Sequence, residues 1–138
     1  MLKPNQRKFR KSNKGRSLAE FENKANVLKF GTHGIQALEK GRITAKQIEA
    51  VRRSITNFLK RKGKVWIRIF PNIPITNKPS EVRMGKGKGN VAFWVAQIKP
   101  GRILYEISGP DFSLLRNALE YASTKLPVSV MILSRKFL

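Results

Sequence analysis

Residues 44 to 63 constrain the fold of this chain more than any other stretch, because they spell out both ends of a helix and its buried side. Thr44 can accept from the amide three residues on while Gln47 reaches back, a capping box, and Ile43 and Ile48 are spaced to close a hydrophobic staple over it. Ile48, Val51, Ile55, Phe58 and Leu59 recur at spacings of three and four and make one buried stripe. Gly63 supplies a left-handed residue to end the run. The spacing predicts a helix over 45–62. Lys46, Arg53 and Lys60 fall on another face and, with Arg52, Arg61 and Lys62, give the helix a basic side; late Arg61 and Lys62 also suit the negative end of the helix dipole. For any one of these lysines alone, an ordinary solvated face is the simpler account.

The rest of the chain reads mostly as strand. Lys64–Phe70 is β-branched and aromatic and alternates Val65, Ile67 and Ile69 against Trp66, Arg68 and Phe70, which predicts a strand. Val91–Ile98 and Ile103–Ile107 predict two more, joined by Lys99-Pro100-Gly101-Arg102 with Pro and Gly in type II positions, hence an antiparallel hairpin. Short apolar groups at Val27, Leu28 and Phe30 and at Ile35, Ala37 and Leu38 read as short strands with glycine turns, and Val128–Leu133 as the last strand. Asp111 can cap a second helix with Leu114, Leu115, Ala118, Leu119 and Ala122 on its apolar stripe, stopping near Lys125 before Pro127. Residues 71 to 90 carry Pro71, Pro74 and Pro79 and read as a long loop, which in a compact domain marks function. The expected class is α+β: a mostly antiparallel sheet with two helices packed on one face.

At 138 residues one domain is expected, spanning 27–138, behind a basic extension over 1–26. Residues 1 to 17 are cationic and poor in hydrophobes, so they should order only against a partner. Arg7, Lys8, Arg10, Lys11, Lys14 and Arg16 without an acid among them could mimic a transit peptide, but the charges have no helical period and Phe9 stands alone, so a basic arm is the reading preferred. Over the whole chain 29 Lys and Arg oppose 8 Asp and Glu, a formal charge of +21 that calls for a polyanion. A membrane surface would attract such charge too, yet no apolar run approaches the ~20 residues needed to span a bilayer. Nucleic acid is the natural partner.

Where phosphate would be met most closely is suggested by Arg83-Met84-Gly85-Lys86-Gly87-Lys88-Gly89-Asn90. Glycine has no Cβ to hold a ligand off, and exposed amides among ammonium groups can make an anion-binding concavity. Nucleotide motifs do not fit: Lys88 is followed by Gly89-Asn90 and a strand, whereas both a Walker A loop and a dinucleotide fingerprint lead into a helix. A flexible solvated hairpin tip explains the stretch equally well in isolation.

Catalytic chemistry is poorly provided for. His33 is the only histidine and has no ligand set or triad nearby, so a turn or core role is expected. The chain lacks cysteine, and its carboxylates form no local pair for Mg²⁺ or acid–base work, so neither a metal, a cofactor nor an enzymatic activity is expected. Trp66, Phe70, Phe93, Trp94 and Tyr105 lie on predicted strands, where they could stack on unpaired bases, although core packing is the stronger reading for most.

Several long segments resemble one family in order. The arm Lys8-Phe9-Arg10-Lys11 with Lys14-Gly15-Arg16, the helix Ile43–Ala50 with Arg52-Arg53, the strand Lys64–Pro71, the pieces Pro74-Ile75-Thr76 and Lys78-Pro79, the tip Val82–Asn90 and Lys99-Pro100-Gly101 are together similar to the sixteenth large-subunit ribosomal protein, the bacterial-type L-sixteen family. The resemblance runs over nearly the whole chain. It implies a structural protein seated on large-subunit ribosomal RNA among neighbouring large-subunit proteins. It also implies that Arg83, Met84, Gly85, Lys86, Gly87 and Lys88 form a loop near the A-site and P-site tRNA acceptor ends by the peptidyl-transferase centre. Lys8, Arg10, Lys11, Lys14 and Arg16 of the arm, with Lys46, Arg52, Arg53, Lys60, Lys64 and Arg68, would hold ribosomal RNA. In some bacterial members the arginine of the loop motif, here Arg83, is hydroxylated.

The chain departs from that pattern in places. Glu20 and Glu22 introduce acids into a normally basic connection, and Val130-Met131-Ile132 is more apolar than the usual last strand, suggesting a covered edge or a protein neighbour. The richness in Asn, Lys and Ile fits an AT-biased genome and favours a mitochondrial ribosome, then a plastid or bacterial one. The alternative is a free-standing RNA-binding chaperone or architectural protein, for which the same charge would serve.

Overall fold

The computed structural model describes residues 2–16 and 19–135. The ends of the expected arm, at residues 1 and 17, and of the expected domain, at 136–138, lie outside the described residues. The elements follow as β1 (His33–Ala37), β2 (Gly41–Thr44), α1 (Ala45–Phe58), β3 (Lys64–Ile67), β4 (Ile73–Asn77), β5 (Asn90–Ile98), β6 (Ile103–Ser108), α2 (Phe112–Ser123) and β7 (Val130–Ser134). The fold is α+β, with strands paired antiparallel throughout. They form two sheets, of order β3-β6-β1-β7 and β2-β5-β4.

That division corrects the expected β5–β6 hairpin. Gly101 does take the left-handed conformation of a type II turn, with φ of 84°. The turn, however, is tied to β1 instead of folding back on β5: the Gly101 amide donates to the Ala37 carbonyl and the Ala37 amide to the Arg102 carbonyl. The chain therefore leaves one sheet at Ile98 and enters the other at Ile103, where β6 runs between β1 and β3. A Cβ on Gly101 would meet only the far edge of the exposed Phe21 ring, which can shift, so it is the positive φ that calls for glycine there.

Strand β6 is the centre of the molecule, with Ile103, Leu104, Tyr105, Glu106 and Ile107 all out of water. Successive side chains point to opposite faces. Tyr105 points toward α1 and donates from its hydroxyl to the Ile48 carbonyl at 2.9 Å. On the other face Glu106 accepts from the amides of Lys29, Phe30 and Gly31 and pairs with Arg68. Burial alone would push the Glu106 carboxyl up; the Gly31 and Phe30 amides, Arg68 and the Lys29 amide outweigh it and hold the group below its ordinary value. Residues 27–30, expected as strand, are thus an irregular segment whose backbone is satisfied by a side chain.

The capping box at Thr44 and Gln47 is present, and Ile43 and Ile48 are both fully buried. The helix ends earlier than expected, at Phe58, because Lys60 and Arg61 turn left-handed with φ of 49° and 63° and Gly63 comes only after them. Arg61 and Lys62 consequently lie outside the helix and do not complement its dipole. Helix α2 starts on Asp111, which accepts from Ser113 and Leu114, and buries Leu115, Ala118, Leu119 and Ala122; it ends at Ser123, short of Lys125. Both helices join the strands in one apolar cluster through Ile48, Val51, Ile55, Leu115 and Leu119.

Other differences follow from edges and faces. The region 71–90 contains β4, an edge strand that tolerates Pro74 because no ladder partner is needed on its outer side. β2 was also not anticipated; four residues are too few to show alternation. β3 stops at Ile67, although the Arg68 amide still donates to Leu104. β7 begins at Val130. Of the strand aromatics only Tyr105 is core; Phe70 and Phe93 are largely exposed and Trp66 and Trp94 half-buried, which corrects the core reading for most of them. Residues 19–26 pack on the domain, with the Glu22 amide donating to Pro100, Glu22 pairing with Arg102 and the Ile103 amide donating to Ala25.

Candidate nucleic-acid interface

β4 and β5 form a long hairpin closed by the Asn77 and Asn90 pair, and the glycine-lysine stretch is its tip. Gly85, Lys86 and Gly87 have φ of 96°, 56° and 95°. The values at Lys86 and Gly87 fit the central positions of a type I′ turn. Positive φ thus runs through three successive residues at the tip. Arg83, Met84 and Lys86 are exposed, Met84 fully, and no hydrogen bond or ion pair joins these three side chains to another described residue. Lys78 and Lys88 behave differently: the Lys78 ammonium donates to the Gly85 carbonyl at 2.7 Å and that of Lys88 to the Ser12 carbonyl at 2.6 Å.

The arm reaches this tip. Lys11 donates to the Lys88 carbonyl at 2.9 Å, Arg42 of β2 to the carbonyls of Lys14 and Gly15, and Gln97 of β5 to that of Arg16. Arg7 lies over the Trp94 ring, 5.6 Å from its centroid. The arm therefore runs along the three-stranded sheet, while at its start Leu2 packs against the core beside Lys46 and Arg53 of α1. It links the two basic regions that were read separately from the residues. Lys8, Arg10, Lys11, Lys14 and Arg16 are all exposed.

On α1, Arg52 grips Glu49 with two hydrogen bonds of 2.9 and 2.6 Å and Arg53 adds a third of 3.0 Å. The Arg52 bonds, against slight burial and with help from Arg53, lower the Glu49 carboxyl to about 2. Arg52, Arg53, Lys60 and Arg61 border one open groove with Thr56 and Asn57, and Lys46 is exposed further back on the same helix. Lys64 sits over Trp66 at 5.2 Å. Arg68 stands apart from the other candidates. Its side chain is 13% exposed, stacks over Phe30 and pairs with Glu106, so its charge is met inside the fold.

Arg42 and Lys78 were missed. Neither falls in a basic run, and their roles depend on strand register: Arg42 faces Gln97 across the β2–β5 pair. His33 is buried, with Nδ1 3.1 Å from the Thr32 hydroxyl and its ring against Phe112; burial and then the Arg116 charge lower its pKa, a structural histidine. Among the described residues no three His, Asp or Glu side chains converge on a possible metal position, and no helix is long and apolar enough to cross a membrane.

A family model described as ribosomal protein L16p/L10e matches residues 4–133. Curated relatives named large ribosomal subunit protein uL16 include that of Dichelobacter nodosus, 52% identical over 136 residues, covering 99% of this chain and 98% of the relative. That of Psychrobacter arcticus is 53% identical over 135 residues, covering 98% of each, and that of Cereibacter sphaeroides 52% identical over 136, covering 99% and 98%.

Proposed function

The chain belongs to the ribosomal protein L16p/L10e family, and we propose that it anchors to large-subunit ribosomal RNA through its arm and α1 and holds its hairpin tip near tRNA. It is a structural, non-enzymatic protein of the large ribosomal subunit. The observation that carries the finer reading is where compensation is missing. Every ion pair among the described residues involves Glu20, Glu22, Glu49, Glu106 or Glu120, and none reaches residues 2–16 or the tip.

In this reading Lys8, Arg10, Lys11, Lys14 and Arg16, with Lys46, Lys60, Lys64 and the one net positive charge that Arg52 and Arg53 keep beside their shared Glu49, neutralise RNA phosphates and release condensed counterions. Arg68, committed to Glu106, is left out of that set. Arg83, Met84 and Lys86 project toward the A-site and P-site tRNA acceptor ends. Residues 27–138 act as one RNA-binding domain behind the extension. The named relatives are bacterial and fit a bacterial-type ribosome; the mitochondrial compartment expected from the sequence finds no support among them.

Reconstituted large subunits test this directly. Arg83→Ala should leave incorporation intact and slow tRNA accommodation or peptide transfer, whereas deleting residues 1–16 should impair incorporation. Equal assembly defects from both would reduce the tip to another RNA anchor. For the free protein, contact with about six phosphates predicts a loss of roughly a thousandfold in RNA affinity between about 50 and 200 mM salt.

A further inference from the structure

Resting on that functional reading, the structure assigns Lys88 and Lys11 a positioning role: they latch the arm to the hairpin tip, so that seating the arm on RNA sets where Arg83 and Lys86 point. Two ammonium groups on segments far apart in sequence donate into each other's backbone, Lys11 to the Lys88 carbonyl and Lys88 to the Ser12 carbonyl. A reciprocal pair of this kind holds both strands of contact at once. Each bond satisfies a carbonyl but neutralises no charge, so the junction stays cationic and remains attractive to phosphate.

The hairpin needs such a strut. Gly85 and Gly87 have open space around them, with nothing within 4 Å of a notional Cβ, and as glycines they leave the tip conformationally permissive. Lys78 braces the tip from its own root by donating to Gly85, and the arm provides the one brace from outside the hairpin among the described residues. The arm is itself held farther along by Arg42 and Gln97. A mechanical path therefore runs from sheet through arm to tip. The tip's lysines divide accordingly: Lys88 supports, and Lys86, with no partner among the described residues, is free to meet a ligand.

The chain has no cysteine, so spin labels can be placed cleanly at Asn13→Cys and Met84→Cys in the full-length protein. Pulsed dipolar spectroscopy should give one narrow arm-to-tip distance population that Lys88→Met broadens, Lys88→Arg largely restores and Lys40→Ala leaves alone. A distribution already broad, or indifferent to Lys88→Met, overturns the latch. In reconstituted subunits Lys11→Ala and Lys88→Met should each weaken A-site tRNA binding by about three- to tenfold, the double variant falling no further than the worse single. Multiplying losses would overturn it too. Failure of the functional reading looks different: Arg83→Ala would leave tRNA binding unchanged while the label distances still respond to Lys88.

Discussion

On the face of β6 turned away from α1, Arg68 meets a carboxylate almost out of water, whereas at the arm–tip junction Lys11, Lys78 and Lys88 meet only carbonyl oxygens and stay in solvent. Both regions use cations to hold backbone in place, and they differ in whether charge is cancelled. Around Glu106 the carboxylate collects three amides and a guanidinium, a closed arrangement that fixes residues 29–31 and asks for nothing more. At the junction Lys11 and Lys88 tie the arm to the tip and Lys78 braces the tip itself, all leaving their charge uncompensated. A chain with 8 acids and 29 bases has few carboxylates to place. Five of them form ion pairs within residues 19–135, so the positive charge left over gathers where an RNA would be met.

The sharpest way to break this contrast is Glu106→Ala, which strands a buried guanidinium and three amides. It should cost about 3–5 kcal/mol in denaturant unfolding, while Glu106→Leu with Arg68→Met should recover only the share due to the guanidinium and leave that of the three amides. A single-variant cost under about 1 kcal/mol would mean that the centre is not closed as described. Acid titration probes a shallower member of the compensated class. The Glu49 carboxyl is lowered from 4.5 to about 2 in the fold, so its stabilisation is complete above about pH 4.5 and is lost as the pH falls toward 2. With both arginines partly in solvent, this should amount to about 1 kcal/mol and should vanish in Glu49→Gln.

Next in size comes the turn after α1, where Arg61 is left-handed without being glycine. Arg61→Gly should stabilise the free protein by roughly 0.5–1 kcal/mol, relief of the left-handed strain exceeding the added chain entropy. If it also weakens RNA binding, that turn joins the uncompensated class. Smallest of all should be Arg83→Ala and Lys86→Ala, each within about 0.5 kcal/mol of the parent in thermal unfolding, since neither touches the core. A larger loss would move the tip to the structural side of the comparison.

What could be read from the residues was whatever is local. The Thr44–Gln47 box, the Asp111 cap, the left-handed Gly101 and both apolar stripes except Phe58, which is exposed, and Leu114, which is half-buried, depend on neighbours within four positions and are in the structure. Pairing is not local, so the turn at Pro100-Gly101 suggested a hairpin although its hydrogen bonds go to Ala37. The function of Glu106 was invisible for the same reason, its amide partners lying 75 to 77 residues upstream and Arg68 lying 38 upstream. One signal was there: a lone carboxylate between Tyr105 and Ile107 in an otherwise apolar run has to be paired once buried. For the site, composition and motif identified the cationic segments, but only the register of β2 on β5 brings Arg42 beneath the arm.

The place of β6 in the chain order also has a bearing on synthesis. β1 pairs only with β6 and β7, β3 only with β6, and the amides of residues 29–31 close on Glu106. As the polypeptide emerges from its N-terminus, β1, β3 and residues 29–31 must therefore wait for residues 103–108 before the four-stranded sheet can begin, whereas the arm's partners Arg42, Lys88 and Gln97 come earlier in the chain. Until residues 103–108 are made, a chain with a formal charge of +21 carries its basic segments on an unfinished fold, so a polyanion would meet them before the four-stranded sheet closes.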